Sequence, residues 1–114
     1  QANAKRYDEG LRGVREVTIP FRDPDVEQAY HLFQIEAERR DDLLAHLQGL
    51  GIEAKVHYPI PLHLQPGFKA LGYQAGDFPR AEAFAKSHCS LPVHQFLTSE
   101  QISFVIEAIR GFYR

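Results

Sequence analysis

Six histidines stand in this sequence of 114 residues, and three of them, His31, His57 and His63, raise the question of a metal site. His57 and His63 flank two prolines, Pro59 and Pro61, with no acidic residue between them. They match no His-x-x-His, Glu-x-x-His or Cys/His spacing with known coordination logic, so no metal is expected. His46 and His88 fall on helix surfaces by pattern and His94 follows a strand end, which predicts solvated side chains for all three. His31 has an inward-facing place in a strand pattern and is expected to be a satisfied sheet or core histidine.

Nucleophilic catalysis finds no support either. There is no Gly-x-Ser-x-Gly elbow, and Cys89, the single cysteine, has His88 beside it, where neighbours in an extended segment point opposite ways. Cys89 reads as a small buried thiol, and one cysteine excludes an internal disulfide. The glycines are scattered, with neither a Gly-x-Gly-x-x-Gly nor a Walker spacing to cradle phosphate.

The elements that would position such residues follow from periodicity. Ala2 to about Arg12 is rich in helix formers and stops at Gly13, yet its only large apolar side chains are Tyr7 and Leu11; it reads as the end of a helix begun upstream. Pro20 to Pro24 makes a surface loop. Val14–Ile19 predicts a short strand, and Tyr30–Ala37 a better one, with His31, Phe33, Ile35 and Ala37 on one face. From Arg40 to Leu50, Leu43, Leu44, Leu47 and Leu50 form one helical stripe, ended by Gly51 in a left-handed conformation. Ile52–Tyr58 alternates, Ile52, Ala54, Val56 and Tyr58 toward the core and Glu53, Lys55 and His57 away from it.

Pro59–Gly76 holds too many prolines and glycines for one long element and predicts a structured loop with short helical turns. Asp77 and Pro79 open a helix through about His88, with Ala81, Phe84 and Ala85 inward, before a strand at Cys89–Val93. Thr98 and Gln101 make a capping box, with Leu97 and Ile102 as its hydrophobic staple. Ile102, Val105, Ile106, Ile109 and Phe112 then form a buried stripe. Short strands between helices predict an α+β fold: two layers, a small and mostly antiparallel sheet packed by helices.

Composition sets outer bounds. The chain is 44% hydrophobic and 25% charged, as an ordinary globular domain is. Its 13 basic and 15 acidic residues are interspersed, which leaves no basic stripe for nucleic acid. The apolar runs are too short for a membrane span or a signal peptide, so a cytoplasmic setting is expected.

The run Gly51–Gln65, GIEAKVHYPIPLHLQ, resembles the stretch of the DegT/DnrJ/StrS family of pyridoxal-phosphate-dependent sugar aminotransferases in which a strand ends in His-Tyr-Pro, followed by Pro-Leu-His and Gln. The flanks agree in order: Tyr30-His-Leu-Phe, Arg40-Asp-Asp-Leu, Gly76-Asp-Phe-Pro before Ala81-Glu82, and Ser90-Leu-Pro before the Thr98 helix. Nearly the whole chain takes part. The resemblance implies the C-terminal small domain of a fold-type I enzyme roughly three times longer. Residues 1–13 would be the helix leaving the missing large domain, and 14–114 the small domain itself.

The resemblance further implies transfer of an amino group, commonly from glutamate, to a nucleotide-linked keto sugar, with pyridoxal phosphate as electron sink. The lysine that would hold the cofactor has no match: Lys5, Lys55, Lys69 and Lys86 lie in other contexts and read as solvated surface residues. No catalytic residue, no bound pyridoxal phosphate and no activity are therefore expected of this chain by itself. By matched position, His57 and Tyr58 are assigned substrate contact, and so are His63 and Gln65, whose competing role is to bond loop backbone groups.

A second reading is a stand-alone, non-catalytic binding or interaction module derived from that domain. A domain built to face a missing large domain should expose an apolar patch, expected around Tyr7, Leu11, Leu62, Leu64 and Phe68, with self-association as the consequence.

Overall fold

The computed structural model describes residues 2–114; Gln1, the first residue of the expected segment 1–13, lies outside the described residues. Helix α1 (Ala2–Gly10) buries Ala4 and Tyr7, and Leu11, just past its end and bonded through its amide to Tyr7 O at 2.9 Å, is buried with them. This overturns the expectation that Tyr7 and Leu11 belong to an exposed patch. The reason lies in the small residues of the same helix. Gly10 sits so close to the C-terminal helix α4 (Ser99–Phe112) that a Cβ there would lie 2.5 Å from Ile106 Cδ1, and Ala4 is buried beside it in the core. Close seating of this kind lets Tyr7 reach Phe33, ring centroids 4.9 Å apart.

Strands β1 (Val17–Thr18), β2 (Phe33–Ala37) and β3 (His88–Leu91) form an antiparallel sheet in the order β1-β2-β3. The register sets Val17 against Ala37, Phe33 against Leu91 and Ile35 against Cys89. Phe33, Ile35 and Ala37 alternate into the core as their period of two requires. β2 begins later than the pattern suggested because Tyr30 takes a positive φ of 53°. That turn leaves His31 exposed, not inward.

Helix α2 (Arg40–Gly49) buries Leu43 and Leu47, and Leu44 packs at the edge of the core. Leu50 is exposed instead, because it is the cap residue from which Gly51 (φ 79°) turns the chain away. Ile52 and Ala54 are buried as the alternation requires, but the strand expected there reduces to one antiparallel bridge, Lys55 to Ser90. Two short 3-10 helices, Leu62–Leu64 and Pro66–Leu71, then occupy the proline-rich loop. Helix α3 (Pro79–Ser87) buries only Ala85, so Ala81 and Phe84 are not inward; Phe84 stacks on the His88 ring at 4.4 Å.

The capping box of α4 is formed. Thr98 Oγ1 accepts from the Gln101 amide at 3.1 Å while Gln101 Oε1 accepts from the Thr98 amide at 2.8 Å. Ile102, Val105 and Ile109 enter one core with residues of α1, α2 and the sheet. The fold is α+β, with a small antiparallel sheet packed by helices. Among the described residues no helix is long and apolar enough to cross a membrane.

Candidate functional site

Residue His57 follows the Lys55–Ser90 bridge, in which each backbone amide donates to the other's carbonyl, Lys55 N to Ser90 O at 3.1 Å and Ser90 N to Lys55 O at 2.7 Å. The bridge presents His57 to β3, and its Nδ1 lies 2.9 Å from Ser90 Oγ. From the other side His88 turns Nε2 to the His57 carbonyl oxygen and Nδ1 to Phe84 O, 2.7 Å away; a neutral ring donates its one N–H to one of these two acceptors. His88 is therefore buried and bonded, not solvated; it ends α3 and begins β3, so its ring turns back under the helix.

Lys55, His57 and Ser90 line an open groove of about 770 Å³, together with His31, Glu53 and His94. The outward face of Glu53, Lys55 and His57 is thus part of a concave surface. Tyr58 departs from it: its φ of 62° breaks the alternation, and 78% of the residue is exposed instead of facing the core.

His63 and Gln65 lie outside that groove lining. His63 is buried, edge-on to Phe78 at 4.8 Å, with Nε2 3.4 Å from Glu82 Oε2 but not aligned as a hydrogen bond. Glu82 accepts from the Gly76 amide, 2.9 Å to each oxygen, and that bond, with help from the Phe78 amide and His63, holds its carboxyl below the usual carboxylate range against the opposing effect of desolvation. Gln65 Nε2 donates to Ile60 O at 3.3 Å, a bond to loop backbone. The four matched residues therefore divide between the groove (His57), the exposed turn (Tyr58) and the loop interior and its backbone (His63, Gln65). Ser90, which sequence reasoning did not single out as functional, is the residue that holds the His57 ring; its place opposite Lys55 became visible only with the bridge.

No three or more His, Cys, Asp or Glu side chains among the described residues converge on a position that could hold a metal ion. The lysines do not fit a pyridoxal phosphate site: all four are exposed, and Lys55 borders an open groove together with the carboxylate of Glu53.

A structure of Streptomyces venezuelae DesV in complex with a ketimine intermediate superposes with a TM-score of 0.94 at 39% identity, covering 99% of this chain and 30% of that one. The dTDP-3-amino-3,4,6-trideoxy-alpha-D-glucose transaminase of Streptomyces venezuelae is 40% identical over 96% of this chain and 29% of its own length. The pleiotropic regulatory protein of Geobacillus stearothermophilus is 47% identical over 79% of this chain and 25% of its own length. This chain thus spans under a third of each of these relatives. A model of the DegT/DnrJ/EryC1/StrS aminotransferase family matches residues 1–110, and the chain belongs to that family.

Proposed function

We propose that this chain is the C-terminal part of a pyridoxal-phosphate-dependent sugar aminotransferase, acting on a nucleotide-linked keto sugar with an amino donor such as glutamate. The observation that carries the reading is the close superposition on DesV, whose structure holds a ketimine intermediate, combined with coverage of only 30% of that chain. In this reading residues 1–13 lead from the large cofactor-binding domain and 14–114 form the small domain. The cofactor lysine belongs to the large domain, the chain alone binds no pyridoxal phosphate, and the setting is cytoplasmic.

His57, Tyr58, His63 and Gln65 are the residues we assign to the substrate side of the cleft. His57 contacts substrate from the groove. Tyr58 stands free to reach it, while His63 and Gln65 act by fixing the loop that carries Tyr58. The exposed apolar side chains of that loop, Leu62 and Leu71 at 63% each and Phe68 at 38%, are the surface we assign to the large domain. Without it the isolated chain should self-associate, with a sedimentation coefficient that rises with concentration.

The test is a chimera in which residues 2–114 replace the matching segment of DesV. Aldimine absorbance and turnover in the chimera, loss of turnover with His57→Ala, and no aldimine absorbance from the isolated chain are expected. A borohydride-trappable cofactor adduct on the isolated chain would overturn the division of labour, and a folded, cofactor-loaded chimera without turnover would favour the stand-alone binding module.

A further inference from the structure

We infer that Ser90 is a positioning residue that sets the hydrogen-bonding polarity of His57, so that His57 offers an N–H from Nε2 to the groove. Ser90 is buried, and its hydroxyl oxygen has one polar partner among the described residues, His57 Nδ1 at 2.9 Å. A hydroxyl carries one proton to donate and a neutral imidazole carries one N–H, so the pair can be arranged in two ways. If Nδ1–H donated to Ser90 Oγ, the hydroxyl proton would have no acceptor among the described residues and would be left to whatever enters the groove. If the hydroxyl donates to Nδ1, nothing in the pair is left over. The second arrangement places the imidazole proton on Nε2.

That nitrogen is open to a ligand. Nε2 of His57 has no partner among the described residues and is not one of the buried polar atoms left without one, which are Arg22 Nε and His63 Nε2. The His57 backbone is also held beside β3, with His88 Nε2 against its carbonyl oxygen and the Lys55–Ser90 bridge two residues before it, while the ring itself is held by Ser90 Oγ. The group thus presented to the groove is a fixed hydrogen-bond donor, next to the Lys55 ammonium. It suits an oxygen acceptor on the ligand, not a donor. As an account of substrate contact this rests on the reading proposed above, but the polarity of the pair does not.

The measurement is made on this chain alone, which separates the two. Nitrogen-15 NMR of the neutral imidazole should give the pattern of an Nε2–H tautomer with an unprotonated, hydrogen-bonded Nδ1. Ser90→Ala should abolish the hydrogen-bond shift at Nδ1 and let the two tautomers exchange, with the other histidine signals unchanged. An Nδ1–H tautomer in the unaltered chain would overturn the inference, and so would a Ser90→Ala spectrum identical to it at His57. Should Ser90→Ala not fold, the tautomer in the unaltered chain still decides. A failed chimera with the expected tautomer would count against the proposed function only.

Discussion

The Tyr7 hydroxyl donates to the Pro92 carbonyl oxygen across 85 residues of sequence, at 2.5 Å. This bond joins the first helix to the end of the last strand. It satisfies a carbonyl that β3 no longer pairs, while the ring lies fully buried against Phe33. Burial pushes the Tyr7 phenol well above its ordinary range. Tyr7→Phe keeps the ring and should cost about 1 kcal/mol in urea unfolding, and Tyr7→Ala about 3–5 kcal/mol by loss of buried aromatic surface. Two variants of equal stability would refute the role of α1 in the core.

The fate of Tyr7 also shows what the sequence could and could not reveal. Stripes with a strict period, such as Ile102, Val105 and Ile109 or Phe33, Ile35 and Ala37, were legible because burial imposes the period directly. The burial of Tyr7 is not legible because two large residues on a polar helix look like a weak stripe, when the close approach rests on the small Ala4 and on Gly10, which has no side chain to keep α4 away. At the site, the outward setting of His57 could be read from alternation. The exposure of Tyr58 could not, because it depends on a single left-handed φ that no pattern announces. Ser90 was hidden for a related reason: it acts through a partner 33 positions away, across a bridge of one residue pair.

Arg40 joins the start of α2 to the end of α3. Its Nη1 donates to Ala85 O at 3.0 Å and to His88 O at 2.7 Å, and its side chain is 9% exposed. A guanidinium at a helix C-terminus meets carbonyls left unpaired by the helix and the negative end of its dipole. Arg40→Ala should cost about 2–3 kcal/mol, within the range for hydrogen bonds to a charged donor. Arg40→Lys should recover only part of this, since an ammonium lacks the planar fork. Thermal unfolding of the three proteins at one pH checks the order. Because His88 holds the His57 carbonyl, the Arg40→Ala chain should also show broadened His57 signals.

Cys89 faces the core opposite Ile35, fully buried, and desolvation pushes its thiol up to about 11 despite the nearby Arg40 charge. The thiolate is the reactive form, so both access and ionisation oppose modification. A disulfide reagent at pH 8 should leave the native chain unlabelled and label it fully in denaturant. The labelling rate in intermediate urea should track global unfolding, and rapid labelling of the native chain would mean that β3 opens locally.

Glu82 supplies a pH dependence confined to one loop. Its carboxylate accepts the Gly76 amide with both oxygens and lies beside His63, and the amide bond is the main reason its folded-state pKa is depressed. A depressed carboxyl stabilises the folded form above its unfolded pKa of about 4.3, and that stabilisation is lost as the pH falls through the lower folded value. Between pH 7 and 5 the Gly76 amide should exchange slowly and at a constant protection factor. Below about pH 4 protection should fall, while that of α4 amides such as Ile106 holds. Glu82→Gln removes the titrating group, so its Gly76 protection should be lower at neutral pH and flat through the acid range. The His63 signals should shift in the same window in the unaltered chain, because the carboxylate 3.4 Å away loses its charge there. Unchanged Gly76 protection down to pH 3 would show that the turn is held by its neighbours, Phe78 and Tyr73, whose rings pack at 5.2 Å.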